Sequence, residues 1–342
     1  MRRRLAGALL VLTLAGCGAA ATPAISPSAP GAPSGGAAST TTTPATGTSP
    51  AASATSATAA PTRPATGSAT SDASAPGTAQ LPRGGRTIFP EHRLVGFAGY
   101  PGSRALGRLG IGDLDARARE IEAVAQPLAG GRTVLPVLEL IATIVQSEPG
   151  RDGLYRTRAS DRIIAAHLAA ARKVKGILLL DIQPGRADIV DEVRAYERWL
   201  GEPDVGIAFD PEWAMGPGQV PMTVFGQTTG AEINEVSAYL SGLVKAKRLP
   251  EKVLVVHQLS PSIVRNEKAV RAHEGVALVK SVDGIGSRAM KESTYDKLAA
   301  SMPKAFHAGF KLFYSEDRRF GPLMTPAQVL ALRPQPEYVL YE

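Results

Sequence analysis

The residues best placed to do chemistry lie in Val205-Gly206-Ile207-Ala208-Phe209-Asp210-Pro211-Glu212-Trp213. A short apolar run ends in two carboxylates flanking a proline, and an indole follows. Read as a β-strand, the run sends side chains to alternate faces, so Gly206, Ala208, Asp210 and Glu212 share one face. Two residues of rise set the two acidic α-carbons roughly 6.5 Å apart. Pro211 removes a ladder donor, marks the strand's end and biases Asp210 toward an extended backbone. Two carboxyl groups on one strand tip suit acid–base work, one kept protonated by burial and the other ionised.

Further apolar runs end in the same residue types. They carry Glu139, then Asp181 with Gln183, His257 with Gln258, Asp283, and finally Tyr314 with Glu316. Acids are depleted from strands by propensity, so their clustering at strand ends calls for a reason. Asp181, Asp210, Glu212 and Glu316 are the catalytic candidates. Trp213, His257, Gln258, Gln183, Asp283 and Tyr314 are candidates for holding substrate. Each has a plainer reading beside it. Asp283 precedes Gly284 and can make an Asx turn. His257 can be a hydrogen-bonded core residue. Trp213 can close the core rather than stack on a sugar ring. Glu139 is either structural on an outer face or a lumen carboxylate needing a lysine or histidine partner. Trp199, on a helix, reads as packing.

The elements that must position these residues alternate along the chain. Strand runs occur at 94–99, 134–144, 176–182, 205–210, 253–258, 276–282, 310–315 and 338–341. Amphipathic helical stretches lie at 113–125, 160–173, 188–200, 231–247 and 293–302, with a short one at 325–332 capped by Thr325. Residues 262–272 allow only a short helix. Eight strands with helical crossovers predict a parallel sheet, and in about 250 residues a single closed (β/α)8 TIM-type barrel. No Gly-x-Gly-x-x-Gly turn follows the first strand, which weighs against a dinucleotide fold. In such a barrel the strand C-termini form the catalytic rim.

Ahead of the barrel, residues 85–342, the composition changes twice. Arg2, Arg3 and Arg4 precede an apolar run from Leu5 to Leu14, too short for a permanent membrane span. Residues 18–84 are almost wholly Ala, Ser, Thr, Pro and Gly, which reads as a disordered tether. Of the net charge of +7, the signal segment supplies three. No basic block is interleaved with aromatics, which argues against a nucleic-acid footprint. Cys17 is the only cysteine, so no disulfide forms within the chain and no cysteine cluster exists for zinc.

Leu14-Ala15-Gly16-Cys17 resembles the lipobox of bacterial lipoproteins, in which the peptide is cut before the cysteine and that residue is acylated. The resemblance implies a signal peptide over 1–17 and an extracytoplasmic protein held to the membrane through Cys17. The strand-tip pattern is similar to the (β/α)8 glycoside hydrolase superfamily, many of whose retaining members carry glutamates after the fourth and seventh strands. Glu212 and Glu316 fall at those places. Two departures stand out: Pro211 occupies the position usually held by Asn, and no Asp-x-Asp-x-Glu run is present. The pair Asp210/Glu212 resembles the fourth strand of a lysozyme-like barrel family, without that family's first-strand Asp. Phe-Asp-Pro-Glu-Trp, Val-His-Gln and Asp-Gly-Ile-Gly also look like actinobacterial envelope lipoproteins.

The resemblance implies a monomeric, surface-anchored glycosidase-like barrel acting on or binding a glycan or cell-wall polymer, with no cofactor and no metal. The alternatives are a catalytically silent sugar- or wall-binding lipoprotein, and a metal-dependent hydrolase or isomerase using Asp181, Asp210, Glu212, His257 and Asp283. Replacing Cys17 with Ser should release the protein from membrane fractions or leave an uncleaved precursor. Wild-type maturation and fractionation of that variant would rule out lipidation.

Overall fold

The computed structural model describes residues 79–342. Cys17, the signal segment 1–17 and most of the tether 18–84 lie outside the described residues. Eight parallel strands form the body: β1 (His92–Gly99), β2 (Thr133–Val145), β3 (Ile177–Ile182), β4 (Val205–Phe209), β5 (Lys252–Gln258), β6 (Val276–Val282), β7 (Phe306–Leu312) and β8 (Tyr338–Tyr341). Each pairs with the next, and β1 pairs with both β2 and β8, so the sheet closes on itself. The fold is a single (β/α)8 barrel. Closure removes the unpaired edges that an open sheet would present.

Strand alternation divides the core in two. Leu94, Val137, Leu179, Ala208, Val255, Val279 and Leu340 belong to a cluster filling the lumen, and a larger cluster joins the outer strand faces to the helices. Gly206 is small for a reason. A Cβ there would lie 2.8 Å from Leu179 Cδ2 and 2.8 Å from Val253 O.

The outer layer comprises α1 (Leu114–Ala125), α2 (Asp161–Lys173), α3 (Ile189–Arg194), α4 (Glu197–Leu200), α5 (Gly230–Lys247), α6 (Arg288–Ala299) and α7 (Pro326–Leu330). Asp113 caps α1 through Ala116 N at 2.8 Å, and Thr229 and Thr325 each form a capping box.

Four expectations shift. The helix expected over 188–200 breaks between α3 and α4. Tyr196 leaves helical geometry there, and its hydroxyl donates to Ala142 O at 2.8 Å. Residues 262–272 form no α-helix: Val264–Arg265 pairs with Thr228–Thr229, and a 3-10 turn spans Glu267–Ala269. Asn266 sits at φ 49°, which interrupts a right-handed helix. The helix expected over 293–302 begins earlier, because Ser287 caps α6. The seventh strand is Phe306–Leu312 rather than 310–315. Asp317 turns the chain beyond it by accepting from Phe313 N at 2.9 Å and Gly286 N at 3.0 Å.

The ordered body also takes in residues ahead of Gly85. Leu81 is 4% exposed and joins Ile88 in the lumen cluster, sealing the end where the strands begin. Arg83 donates to Val174 O at 2.9 Å, and Arg86 to Leu249 O at 2.7 Å. A single leucine in a low-complexity run gives little periodic signal, so the boundary reads late from sequence. Leu81→Ala should cost about 2–3 kcal/mol, the lower part of the range for buried Leu-to-Ala changes. Urea unfolding measures it, and an unchanged midpoint would show that the segment does not seal the barrel.

Candidate functional site

Below, the lumen is apolar; toward the strand C-termini it becomes a layer of charge. Alternation places Glu139 on the lumen face of β2, Asp181 on β3, Asp210 just beyond β4, His257 on β5 and Ser281 and Asp283 on or just past β6. Lys311 on β7, Tyr338 on β8 and Glu342 complete the ring. Among these, Glu139, Asp181, Asp210, His257, Asp283 and Lys311 are all buried, as is Glu212.

His257 is the hub. Its Nε2 lies 3.1 Å from Glu139 Oε1 and its Nδ1 lies 3.1 Å from Asp283 Oδ1. Ionised carboxylates only accept, so both ring nitrogens donate and the ring is an imidazolium. Burial alone would push it toward neutrality. The Asp283 carboxylate, with Glu139, outweighs burial and the opposing Lys311 charge and holds it well above the usual histidine range. Burial pulls on Asp283 in the opposite sense, but Lys311 and His257 win and hold it below the usual carboxylate range.

Lys311 Nζ is 2.6 Å from Glu342 Oε2 and 3.3 Å from Asp283 Oδ2. Burial opposes its charge, yet Asp283 and Glu342 keep it firmly protonated. Tyr338 donates to Glu139 Oε2, and Ser281 Oγ to Asp283 Oδ1 at 3.1 Å.

The remaining acids are less well matched. Gln183 Nε2 donates to Asp210 Oδ2 at 3.0 Å. Asp181 Oδ1, Asp210 Oδ1 and Glu212 Oε2 are buried and have no hydrogen-bond partner. Burial, then the Asp210 and Glu139 charges, pushes the Asp181 carboxyl well above its ordinary range. Burial, then Asp210 and Asp283, does the same to Glu212. Glu342 is raised by burial despite Lys311. Both Asp181 and Glu212 therefore hold protons where free carboxyls would have lost them.

The structure thus brings together Asp181, Gln183, Asp210, Glu212, His257 and Asp283. It also adds Glu139, Ser281, Lys311, Tyr338 and Glu342, which the strand-tip survey did not assign to a site. Gln258 is buried beside them, with Nε2 donating to Ser260 O at 3.2 Å and Oε1 unpartnered. Trp213 is half-buried on the rim, edge-on to Phe225 at 6.3 Å.

Two candidates sit elsewhere. Tyr314 stacks on Tyr341 at 5.2 Å and meets Phe97 edge-on at 6.1 Å, so it belongs to the layer outside the barrel. Glu316, expected opposite Glu212, precedes the 3-10 turn Asp317–Arg319, and its ion-pair partner is Arg319 at 4.0 Å. The shift of β7 explains both. Asp317 is the acid of that stretch that turns inward, pairing with Lys291 at 3.0 Å.

Donor atoms of Asp181, Asp210 and His257 lie within 4.8 Å of one another, a spacing compatible with a metal ion. The chemistry of the donors does not fit one, because both His257 nitrogens carry protons directed at Glu139 and Asp283 and neither offers a lone pair.

No protein-family model matches the chain, and no curated protein matches it. Among solved structures it is similar to a hyperthermophilic endo-beta-1,4-glucanase in complex with substrate, at 9% identity and TM-score 0.37, over 73% of this chain and 88% of that one. It is also similar to XAIP-II, the xylanase and alpha-amylase inhibitor protein from Scadoxus multiflorus, at 10% identity and TM-score 0.40, over 73% and 92%. At these values neither neighbour assigns an activity.

The charge layer has a consequence for stability. Unfolded carboxyls titrate near about 4 and unfolded histidine near about 6.5. Asp181, Glu212, Glu342 and His257 all keep protons above those values in the fold. Through these groups the native state binds more protons than the unfolded state from about pH 4 upward, and the stability they contribute falls as pH rises. Asp283 acts in the opposite sense, and its contribution is lost only as pH falls below about 4. Burial lowers the pKa of His167, and that of Lys252 to about 7, so these two also act in the opposite sense. The His257 share is therefore read by difference: His257→Gln should cost more melting temperature at about pH 5 than at about pH 8. An equal loss at the two pH values would contradict the doubly protonated ring.

Proposed function

We propose that the protein acts on a glycan, with Glu212 as proton donor at the mouth of the barrel. The observation that carries this reading is the set of unpartnered, buried carboxyl oxygens of Asp181, Asp210 and Glu212 at the tips of β3 and β4. A buried acceptor without a partner costs free energy until a ligand supplies a donor. Sugar hydroxyls are such donors. Glu212, kept neutral by burial and by neighbouring acids, is suited to protonate a glycosidic oxygen. Asp210, oriented by Gln183, presents its free oxygen beside it, where positive charge on a ring carbon would develop. Trp213 offers a half-buried indole on the rim for a sugar face. Lipidation at Cys17, with the barrel outside the cytoplasm and the wall polymer within reach, belongs to the same proposal and is supported by the lipobox.

A second reading, sugar binding without hydrolysis, is favoured by one observation. Glu316 does not join the acid layer, so the pair expected across the mouth from the fourth and seventh strands is not formed. One pair of measurements separates the readings: reducing-end release from a panel of glycans, and binding of the same panel. If Glu212 is the acid, Glu212→Gln should lower kcat by about 100-fold or more while retaining binding. The wild-type rate should fall as pH rises through the raised Glu212 pKa, and that alkaline limb should vanish in the variant. Binding without turnover in the wild type would establish the second reading.

A further inference from the structure

The charges of the mouth layer do not balance. Six carboxyl groups, those of Glu139, Asp181, Asp210, Glu212, Asp283 and Glu342, share it with two cationic side chains, His257 and Lys311. Lys291 and Asp317, nearby, pair with each other. Tyr338 contributes a hydroxyl to Glu139 and no charge. His257 and Lys311 are themselves committed to Glu139, Asp283 and Glu342. Among the described residues, Asp181 and Asp210 are left with unpartnered oxygens and no cation of their own.

We propose that Asp181 and Asp210 form a seat for a protonated amine, so that the glycan accepted here carries a free amino group; this rests on the glycan reading above. The spacing admits one. An ammonium whose N–H groups diverge tetrahedrally, each about 2.8 Å from its acceptor, spans oxygens about 4.6 Å apart. One oxygen of Asp181 and one of Asp210 lie no more than 4.8 Å apart, close enough for one ammonium to reach both. Both residues are more than nine-tenths buried, so an amine docked there exchanges water for two charge-assisted bonds in a low-dielectric setting. A single positive charge is better tolerated than a divalent ion, because the His257 imidazolium and the Lys311 ammonium already border the seat. Without ligand, burial and the Asp210 charge keep the proton on Asp181. An arriving ammonium removes the reason for that proton, so binding releases it to the solvent while Glu212 keeps its own.

Isothermal titration of the full chain at about pH 6 tests this, using a glucosamine oligosaccharide and its N-acetylated counterpart. Each is run in two buffers of different ionisation enthalpy, alongside reducing-end release. The expected result is at least tenfold tighter binding of the free-amine glycan, with buffer-dependent heat showing proton release. Asp181→Asn and, separately, Asp210→Asn should abolish that preference, with thermal melts confirming that each variant is folded. Equal or tighter binding of the N-acetylated glycan overturns the amine seat and leaves the glycan reading standing. Binding of neither overturns the glycan reading and the seat with it. A melting-temperature rise with calcium or manganese that Asp181→Asn abolishes would put a metal in the amine's place and also overturn the seat.

Discussion

The imidazolium of His257, clamped between Glu139 and Asp283, is the interaction on which the upper barrel depends. It joins β2, β5 and the end of β6 across the lumen, where all three side chains are buried. Removing one member of such a buried set leaves a charge uncompensated, which typically costs about 3–5 kcal/mol. The clamp also fixes its surroundings electrically. With His257 and Lys311 spoken for, the acids of β3 and β4 offset their burial through the Gln183 hydrogen bond to Asp210 and through protons or a ligand. The raised pKa values of Asp181 and Glu212 follow from burial and this arrangement of neighbours more than from the two residues themselves.

A barrel of this kind separates its functions by depth. Leucine, valine and alanine fill the lumen from Leu81 upward, and the polar layer rests on that packed floor. Gly206 illustrates the dependence, since its missing side chain lets Leu179 and Val253 close the space directly below the acids. The floor gives the polar layer fixed positions, so the distances at the mouth follow from strand register.

Much of this could be read from the sequence, and the failures have a common cause. Apolar runs ending in acids or in His-Gln mark β3, β4, β5 and β6 closely, and Asp181, Asp210, Glu212, His257 and Asp283 follow from them. The β7 run reads late in the sequence because Phe310-Lys311-Leu312-Phe313-Tyr314 is more apolar than Phe306-His307-Ala308-Gly309. That displacement promoted Glu316 and Tyr314 and hid Lys311. Lysine in a strand is also ambiguous by itself. Lys252, Lys280 and Lys311 are all buried, but Lys252 and Lys280 face outward, where each donates to a backbone carbonyl. Only register distinguishes them from the lysine that serves the lumen. Tyr338 and Glu139 were invisible as partners because 199 residues separate them in sequence.

Residues 79–91 run beneath the barrel, pinned by Arg83 and Arg86 to carbonyls just before β3 and β5. Residues 79–91 therefore lie on the face opposite the acids. A chain restrained by its leading end would present the mouth away from the restraint. Any pull on that end meets the Arg83 and Arg86 hydrogen bonds and the buried Leu81 side chain ahead of β1.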